Sequence, residues 1–203
     1  MRSTAFPYEL LTQARAGSVE HLGQLLDSYR QYLKLLARLE IGRRLRTKVD
    51  ASDLVQDTLL EAHRHFGTFR GDSESQLVCW LRQIMAASLA NLLRHYLGTK
   101  GRDIRLEEEL VAKLDQSSQL LGYGFIDPGS SPSQRASRRE QAVLLADALA
   151  SLPEDYREVI ILRHLEGRPF AEVSEIMDRS IDSVQKLWVR GLVQLRSLLG
   201  TLQ

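Results

Sequence analysis

The chain has 203 residues, of which 43% are hydrophobic and 26% charged, a composition typical of a folded globular protein with one large or two small domains. Its 27 lysines and arginines nearly balance 26 acidic residues, and the net charge of +1 argues against a uniformly basic nucleic-acid coat or a polybasic membrane binder. The single cysteine, Cys79, excludes an intramolecular disulfide framework, and without an apolar stretch suited to a signal peptide or membrane span we expect a cytoplasmic protein with no membrane insertion.

Residue choice predicts an all-α fold. Leucine occurs 36 times, whereas valine and isoleucine together occur 19 times, and this ratio favours helices over strands. The interval between Pro7 and Pro128 contains no proline, which leaves room for several uninterrupted helices. We therefore expect two small helical domains joined by a flexible linker, with a helix-turn-helix in the second domain.

Three helices are predicted for an N-terminal domain, residues 1–100. The first begins at Ser18, whose hydroxyl can cap free backbone amides, and its leucines continue at helical spacing to Leu39. A second helix is predicted over about 50–66 and a third over about 76–97, each with apolar residues along one side. These helices can close one compact bundle.

The helical pattern weakens over residues 101–132, which carry three basic and six acidic side chains. The polar run 116–119 and the glycines and prolines that follow it are typical of a flexible linker. Helical periodicity returns over residues 133–203, the predicted C-terminal domain, where Pro153 precedes a helix that ends at Gly167.

Two helices near the C-terminus match a helix-turn-helix pattern. The first has a short apolar inner face, and Ser180 is a suitable cap for the second. The outer face of the second helix bears Lys186 and Arg190, which can contact phosphate or guanine, with Gln185 on its flank, which can pair with adenine.

A helical hairpin with a solvated outer face fits the same pattern at least as well. Local charge favours the nucleic-acid interpretation, because residues 179–203 hold four basic side chains and one acidic side chain, a net charge of +3. The asymmetry is modest but lies on the helix that would enter the major groove.

Two separated motifs carry a resemblance to a known family. Residues 50–58, DASDLVQDT, are similar to a D-x-x-D-L-V-Q-E-T helix and are followed at matching spacing by FRG at 69–71 and WL at 80–81. Residues 151–167, SLPEDYREVIILRHLEG, are similar to a stretch that leads into a terminal helix-turn-helix. Both motifs, in this order, resemble the extracytoplasmic-function (ECF) group of bacterial RNA polymerase sigma factors, in the sigma-70 family. With the flanking helices, the resemblance covers roughly residues 20–97 and 138–200.

The resemblance implies a transcription initiation factor that is not an enzyme and needs no cofactor. The first domain would bind the clamp helices of the largest subunit of core RNA polymerase and open the minus-ten promoter element. The second would hold the minus-thirty-five element as duplex DNA, and the linker would pass near the RNA path. The polymerase flap is a further expected contact of the chain. The resemblance also suggests the hypothesis that an anti-sigma factor binds this chain and holds it inactive.

Three sets of site residues are implied by position. The polymerase-binding set lies on one outward, largely acidic face of the second helix: Asp53, Gln56, Asp57, Leu60 and Glu61. The minus-ten set lies on the following loop and helix: Arg70, Arg82, Ser88, Asn91 and Arg94. The minus-thirty-five set surrounds the start of the second helix of the helix-turn-helix: Arg179, Ser180, Asp182, Ser183, Gln185, Lys186 and Arg190.

Two further expectations concern single residues. Asp178 stands where the family often has a turn glycine, and aspartate tolerates the left-handed conformation, so we expect the turn to form. Phe69 is a candidate for stacking on unpaired bases, whereas Phe66 and Trp80 fall on apolar helix faces and are expected in the core.

Other functions receive less support from the sequence. His63 and His65 are two residues apart and do not share a helix face, so no metal site is expected there. Two alternatives to the sigma factor stay open at this point. One is a free-standing helix-turn-helix regulator that never joins polymerase, and the other is a helical adaptor that contacts only proteins.

Overall fold

The computed structural model describes residues 7–41, 50–97, 104–123 and 132–200. Within these ranges most residues are helical and none lies in a strand, so the predicted all-α fold is confirmed. The helices are α1 (Tyr8–Arg15), α2 (Val19–Asp27), α3 (Arg30–Ile41), α4 (Ala51–His65), α5 (Glu74–Leu97), α6 (Ile104–Tyr123), α7 (Pro132–Ala150), α8 (Glu154–Ile160), α9 (Phe170–Ile176) and α10 (Ile181–Gly200). A 3-10 turn, Phe66–Thr68, follows α4, and a π turn, Ile161–Leu165, follows α8. Among the described helices, none has the length and hydropathy that a membrane span requires.

Polar side chains cap α2 and α4, and the cap at Ser18 is the one that the sequence predicts. The Ser18 hydroxyl accepts a hydrogen bond from the backbone amide three residues on, and the Asp50 carboxylate accepts one from the amide of Ser52 at 2.8 Å. The predicted single helix from Ser18 is instead two helices, α2 and α3. They are divided at Ser28, whose hydroxyl donates to the carbonyl of Leu25 and so competes with the regular backbone ladder.

Helix α6 occupies a segment for which the sequence predicts a flexible linker. That prediction is wrong for residues 104–123, because α6 packs against α3, α5 and α7. Ser117 and Ser118, which suggested a tether, are buried and face α3. The leucines that α6 buries recur at helical spacing: Leu110, Leu114 and Leu121. The rest of the predicted linker, 101–103 and 124–131, lies outside the described residues.

A buried polar network ties α6 to the N-terminal helices. The Tyr32 hydroxyl of α3 donates to the Ser118 hydroxyl at 2.8 Å. Arg82 of α5, only 1% exposed, donates to the Tyr32 oxygen at 3.0 Å and to the Asp115 carboxylate at 2.6 Å. Burial raises the pKa of Tyr32, so its hydroxyl is protonated and can donate at neutral pH. The network therefore joins α3, α5 and α6 through paired groups.

The C-terminal helices α7 to α10 pack around a second apolar region that is continuous with the first. Gly191 lets α10 approach α8 closely, since a Cβ atom there would lie 3.2 Å from the Tyr156 Cβ and 3.3 Å from the Tyr156 carbonyl oxygen. Helix α3 also contacts this region, and the Arg38 guanidinium donates to both carboxylate oxygens of Glu158 at 2.6 and 2.7 Å. The division into domains 1–100 and 133–203 stays a prediction.

Candidate functional site

The turn between α9 and α10 has the conformation that a helix-turn-helix requires. Asp178 has a φ angle of +50°, in the left-handed region. The tolerance expected of aspartate at this position is therefore confirmed. The Ser180 hydroxyl accepts a hydrogen bond from the backbone amide of Ser183 at 3.2 Å and so caps the start of α10, as predicted. These two residues set the direction in which α10 leaves the turn.

We expect the substitution Asp178→Val to lower the free energy of unfolding by about 1–2 kcal/mol, because a β-branched residue is strained in the left-handed region. The matched substitution Asp178→Gly should stay within about 0.5 kcal/mol of the parent or exceed it, since glycine adopts this conformation freely. Urea unfolding followed by circular dichroism measures both. Equal stability of the valine and glycine variants would contradict a left-handed turn.

The inner face of α10 is fixed by apolar and aromatic contacts. Val184 and Leu195 are fully buried, and the Trp188 ring stacks on His164 with centroids 5.5 Å apart. Phe170 meets the same indole edge-on, also at 5.5 Å. Burial, and then the nearby charge of Arg163, lower the pKa of His164, so the stacked ring is neutral at pH 7. This packing holds α10 in one rotational setting, with its opposite face outward.

The outward face of α10 carries the predicted minus-thirty-five residues. Lys186 is 64% exposed and donates to the Asp182 carboxylate at 2.7 Å, an ion pair between residues four apart on the helix. Arg190, one turn further on, is exposed as well. Of the predicted set, Ser183 is half-buried and the others are exposed: Arg179, Ser180, Asp182, Gln185, Lys186 and Arg190. The Arg179 guanidinium donates to Asp155 of α8 at 2.7 Å.

A second exposed face lies on α4 and contains the predicted polymerase-binding residues. Asp53, Gln56 and Asp57 are exposed, and Leu60 between the acidic positions is 49% exposed. Glu61, at the end of this face, contacts Arg64 at 2.5 Å and the His65 ring nitrogen at 3.3 Å. The opposite side of α4 is buried through Leu54, Val55, Thr58, Leu59 and Ala62. The acidic residues and the exposed leucine therefore share one free side of the helix.

The predicted minus-ten residues do not form one exposed set. Arg70 and Asn91 are exposed and Ser88 is half-buried. Arg94 has a side chain only 16% exposed, with Nη1 3.5 Å from Glu107 of α6, and it donates to Asn91. The prediction that Arg82 contacts DNA is wrong for this structure, because its guanidinium is buried in the network with Tyr32 and α6.

Phe69 is buried, which contradicts its expected role in stacking on bases. Its ring lies 5.1 Å from Trp80 and 6.1 Å from Phe66, so all three aromatic residues form one cluster. Phe66 is buried and Trp80 partly so, as expected for residues of the core. The sequence reasoning missed Arg15, which contacts Phe69 and the loop beyond it, and no pattern in α1 pointed to that contact.

Neither histidine of the pair near the end of α4 takes part in a candidate metal site. His63 and His65 are both exposed. In the part of the chain that the structure describes, no three or more histidine, cysteine or acidic side chains are arranged to hold a metal ion.

Comparisons with known proteins match the two regions that carry these faces. The family model described as Sigma-70 region 2 matches residues 28–97, and that described as Sigma-70, region 4 matches residues 142–195. The first segment contains α3 to α5, and the second contains the end of α7, all of α8 and α9 and most of α10, whereas α1, α2 and α6 lie outside both.

Relatives with assigned names extend over most of the chain. The ECF RNA polymerase sigma-E factor of Haemophilus influenzae is 27% identical over 176 residues, which cover 87% of this chain and 86% of the relative. The ECF RNA polymerase sigma-E factor of Escherichia coli K12 is 31% identical over 136 residues, which cover 67% of this chain and 66% of the relative. A solved structure of the flagellar sigma/anti-sigma complex Sigma-28/FlgM aligns with 88% of this chain and 95% of that chain, at 20% identity and with a TM-score of 0.31.

Proposed function

Because the chain belongs to the extracytoplasmic-function group of the sigma-70 family, and so directs promoter-specific transcription initiation by RNA polymerase, we propose that its two matched segments divide this work. The outward face of α4 binds the clamp helices of the largest polymerase subunit, and the outward face of α10 binds the minus-thirty-five element. The C-terminal segment also meets the polymerase flap. Nucleotide addition belongs to the core enzyme, and the chain itself supplies no chemistry or cofactor.

The observation that supports the proposal most is the outward face of α10. A capped turn and an aromatic inner face hold this helix, and Lys186 and Arg190 stand exposed on successive turns of its first half. That is the part of a recognition helix that reaches base edges and flanking phosphates in the major groove. The free-standing regulator and the adaptor are not favoured by any observation, since the chain matches both regions of a sigma factor.

We assign the contact with the minus-ten element to those residues of the predicted minus-ten set that are exposed or partly exposed. Arg70, in the loop before α5, and Asn91, on α5, are exposed, and Ser88 and Arg94 lie on the same helix as Asn91 and are partly covered. Arg82 is not included, because its guanidinium is occupied inside the protein. We also expect a cytoplasmic location and an anti-sigma factor as partner, which membership of this group favours.

The test of the proposed function is transcription in vitro with purified core polymerase and a library of promoter sequences. The chain should enrich a defined pair of elements among the transcribed sequences, one near position minus ten and one near minus thirty-five. Initiation no greater or more selective than that of core polymerase alone would contradict the proposal.

The polymerase-binding face predicts a separate result. Replacing Asp53 and Asp57 with Arg, together with Gln56→Ala, should weaken binding of core polymerase about 100-fold, because like charges then face a basic partner surface. Titration of labelled core polymerase measures this affinity. The control replaces Glu9 and Glu20, exposed acidic residues of α1 and α2, with Arg and should bind core normally. Unchanged binding of the α4 variant would show that this face does not meet polymerase.

A further inference from the structure

The loop between the 3-10 turn and α5, residues 69–73, is held in one shape from the side of α5. The Gln76 side-chain oxygen accepts hydrogen bonds from the backbone amides of Asp72 at 2.7 Å and Ser73 at 3.2 Å. Gly71 fits tightly, since a Cβ atom there would lie 2.7 Å from the Phe69 ring and 2.7 Å from the Gln76 Cβ. The loop backbone is thus held between an aromatic ring and the first turns of α5.

The same loop is held from the other side by Arg15, the last residue of α1. Its guanidinium lies over the Phe69 ring, 5.9 Å from the centroid, and donates a hydrogen bond to the carbonyl oxygen of Gly71. A cation in this position is attracted by the face of the ring. Because Leu11 and Ala14 anchor α1 in the core, the guanidinium reaches the loop from a fixed helix.

Arg15 also stands close to the loop residue proposed to contact DNA. A cavity of about 660 Å³ between the α1–α2 turn and the loop is lined by both Arg15 and Arg70. The Arg70 side chain is exposed and bonds back to the carbonyl oxygen of Gly67 at 2.6 Å. Arg15 contacts the residue on either side of Arg70, through the side-chain ring of Phe69 and the backbone carbonyl oxygen of Gly71. The direction in which Arg70 leaves the loop therefore depends on the position of these two neighbours.

We propose that Arg15 is a positioning residue for promoter opening: it fixes Phe69 and Gly71 and thereby presents Arg70 to the minus-ten element. This inference rests on the proposed minus-ten role of Arg70. It assigns a function to α1, which precedes the segment matched by the region 2 family model. Without Arg15 the loop keeps its contacts to Gln76 but samples more conformations, and binding DNA must then order it.

The test measures promoter opening by the full chain with core polymerase, read as permanganate reactivity of minus-ten thymines. Arg15→Ala should reduce opening about tenfold, with core affinity unchanged. Arg15→Lys should recover most of the loss, because an ammonium group can still lie over Phe69 and donate to Gly71. Arg30→Ala, which removes an exposed arginine paired only with Asp27 among the described contacts, is the matched control and should open promoters normally.

The combination of Arg15→Ala with Arg70→Ala decides how Arg15 acts. If it acts through Arg70, the double variant should open promoters no worse than Arg70→Ala alone. Additive losses, or normal opening by Arg15→Ala beside a defective Arg70→Ala, would overturn the inference and leave the proposed function intact. Normal opening by Arg70→Ala would instead remove the minus-ten role of Arg70 on which the inference rests. Should Arg15→Ala lose stability, Arg15→Gln keeps the side-chain length without the charge and replaces it.

Discussion

The substitution Asp115→Ala is expected to lower the free energy of unfolding by about 3 kcal/mol, because it leaves the buried Arg82 guanidinium without its carboxylate partner. Arg82 is 1% exposed and Asp115 37%, so water can reach the acid but scarcely the arginine. The remaining acceptors, Tyr32 and Ser118, are neutral and lie at 3.0 and 3.4 Å. They cannot balance a buried positive charge, and the loss should approach that of a broken buried ion pair.

A control on the same helix separates this effect from a general loss of helix stability. Glu108→Ala removes an exposed acidic side chain of α6 and should cost no more than about 0.5 kcal/mol. Thermal and urea unfolding of both variants and the parent give the comparison. If Asp115→Ala were as harmless as Glu108→Ala, α6 would not be held by Arg82, and a flexible linker over this segment would again be the better description.

The α6 segment also marks how far the sequence could predict this fold. The start of α2 was predicted closely from the cap at Ser18, and the start of α4 from the apolar spacing that begins near residue 50. In α6 the pattern of leucines is interrupted by Ser117 and Ser118. From the sequence of this segment alone, two adjacent serines indicate a solvated position, although both are buried. Their burial depends on partners that are distant in sequence, Glu40 for Ser117 and Tyr32 for Ser118, and no local pattern contains that information.

The candidate sites divide in the same way. The faces of α4 and α10 could be predicted because exposure on a helix follows from the spacing of apolar residues on its opposite side. The burial of Arg82 could not be predicted in this way, because α5 is a long helix that packs against different neighbours along its length. An arginine on such a helix can bind nucleic acid if it is exposed, or form an internal ion pair if another helix packs over it. Here α6 packs over Arg82, and Asp115 accepts its hydrogen bond.

Reversing the charge of Lys186 and Arg190 together, with Lys186→Glu and Arg190→Glu, should reduce promoter-specific transcription by about 100-fold or more. Each residue is placed to contribute a phosphate or base contact worth about 1–3 kcal/mol, and acidic replacements add repulsion from the DNA backbone. Both side chains are exposed, so the apolar and aromatic contacts of the inner face remain. The glutamate that replaces Lys186 would face both Asp182 and the glutamate that replaces Arg190, each four residues away, at a cost of about 0.2–0.5 kcal/mol for each pair, too little to unfold the helix.

Two measurements determine whether this loss comes from DNA recognition. The double variant should bind core polymerase with normal affinity, since the proposed clamp contact lies on α4 and the proposed flap contact of the C-terminal segment is not assigned to Lys186 or Arg190. The control Arg196→Glu reverses an exposed charge on the same helix about 15 Å from Lys186 along its axis, beyond the residues that reach bases, and should transcribe normally. Loss of core binding by the double variant would assign this face to a polymerase contact. An equal defect in Arg196→Glu would show that the net charge of α10, and not the two residues in its first half, determines promoter use.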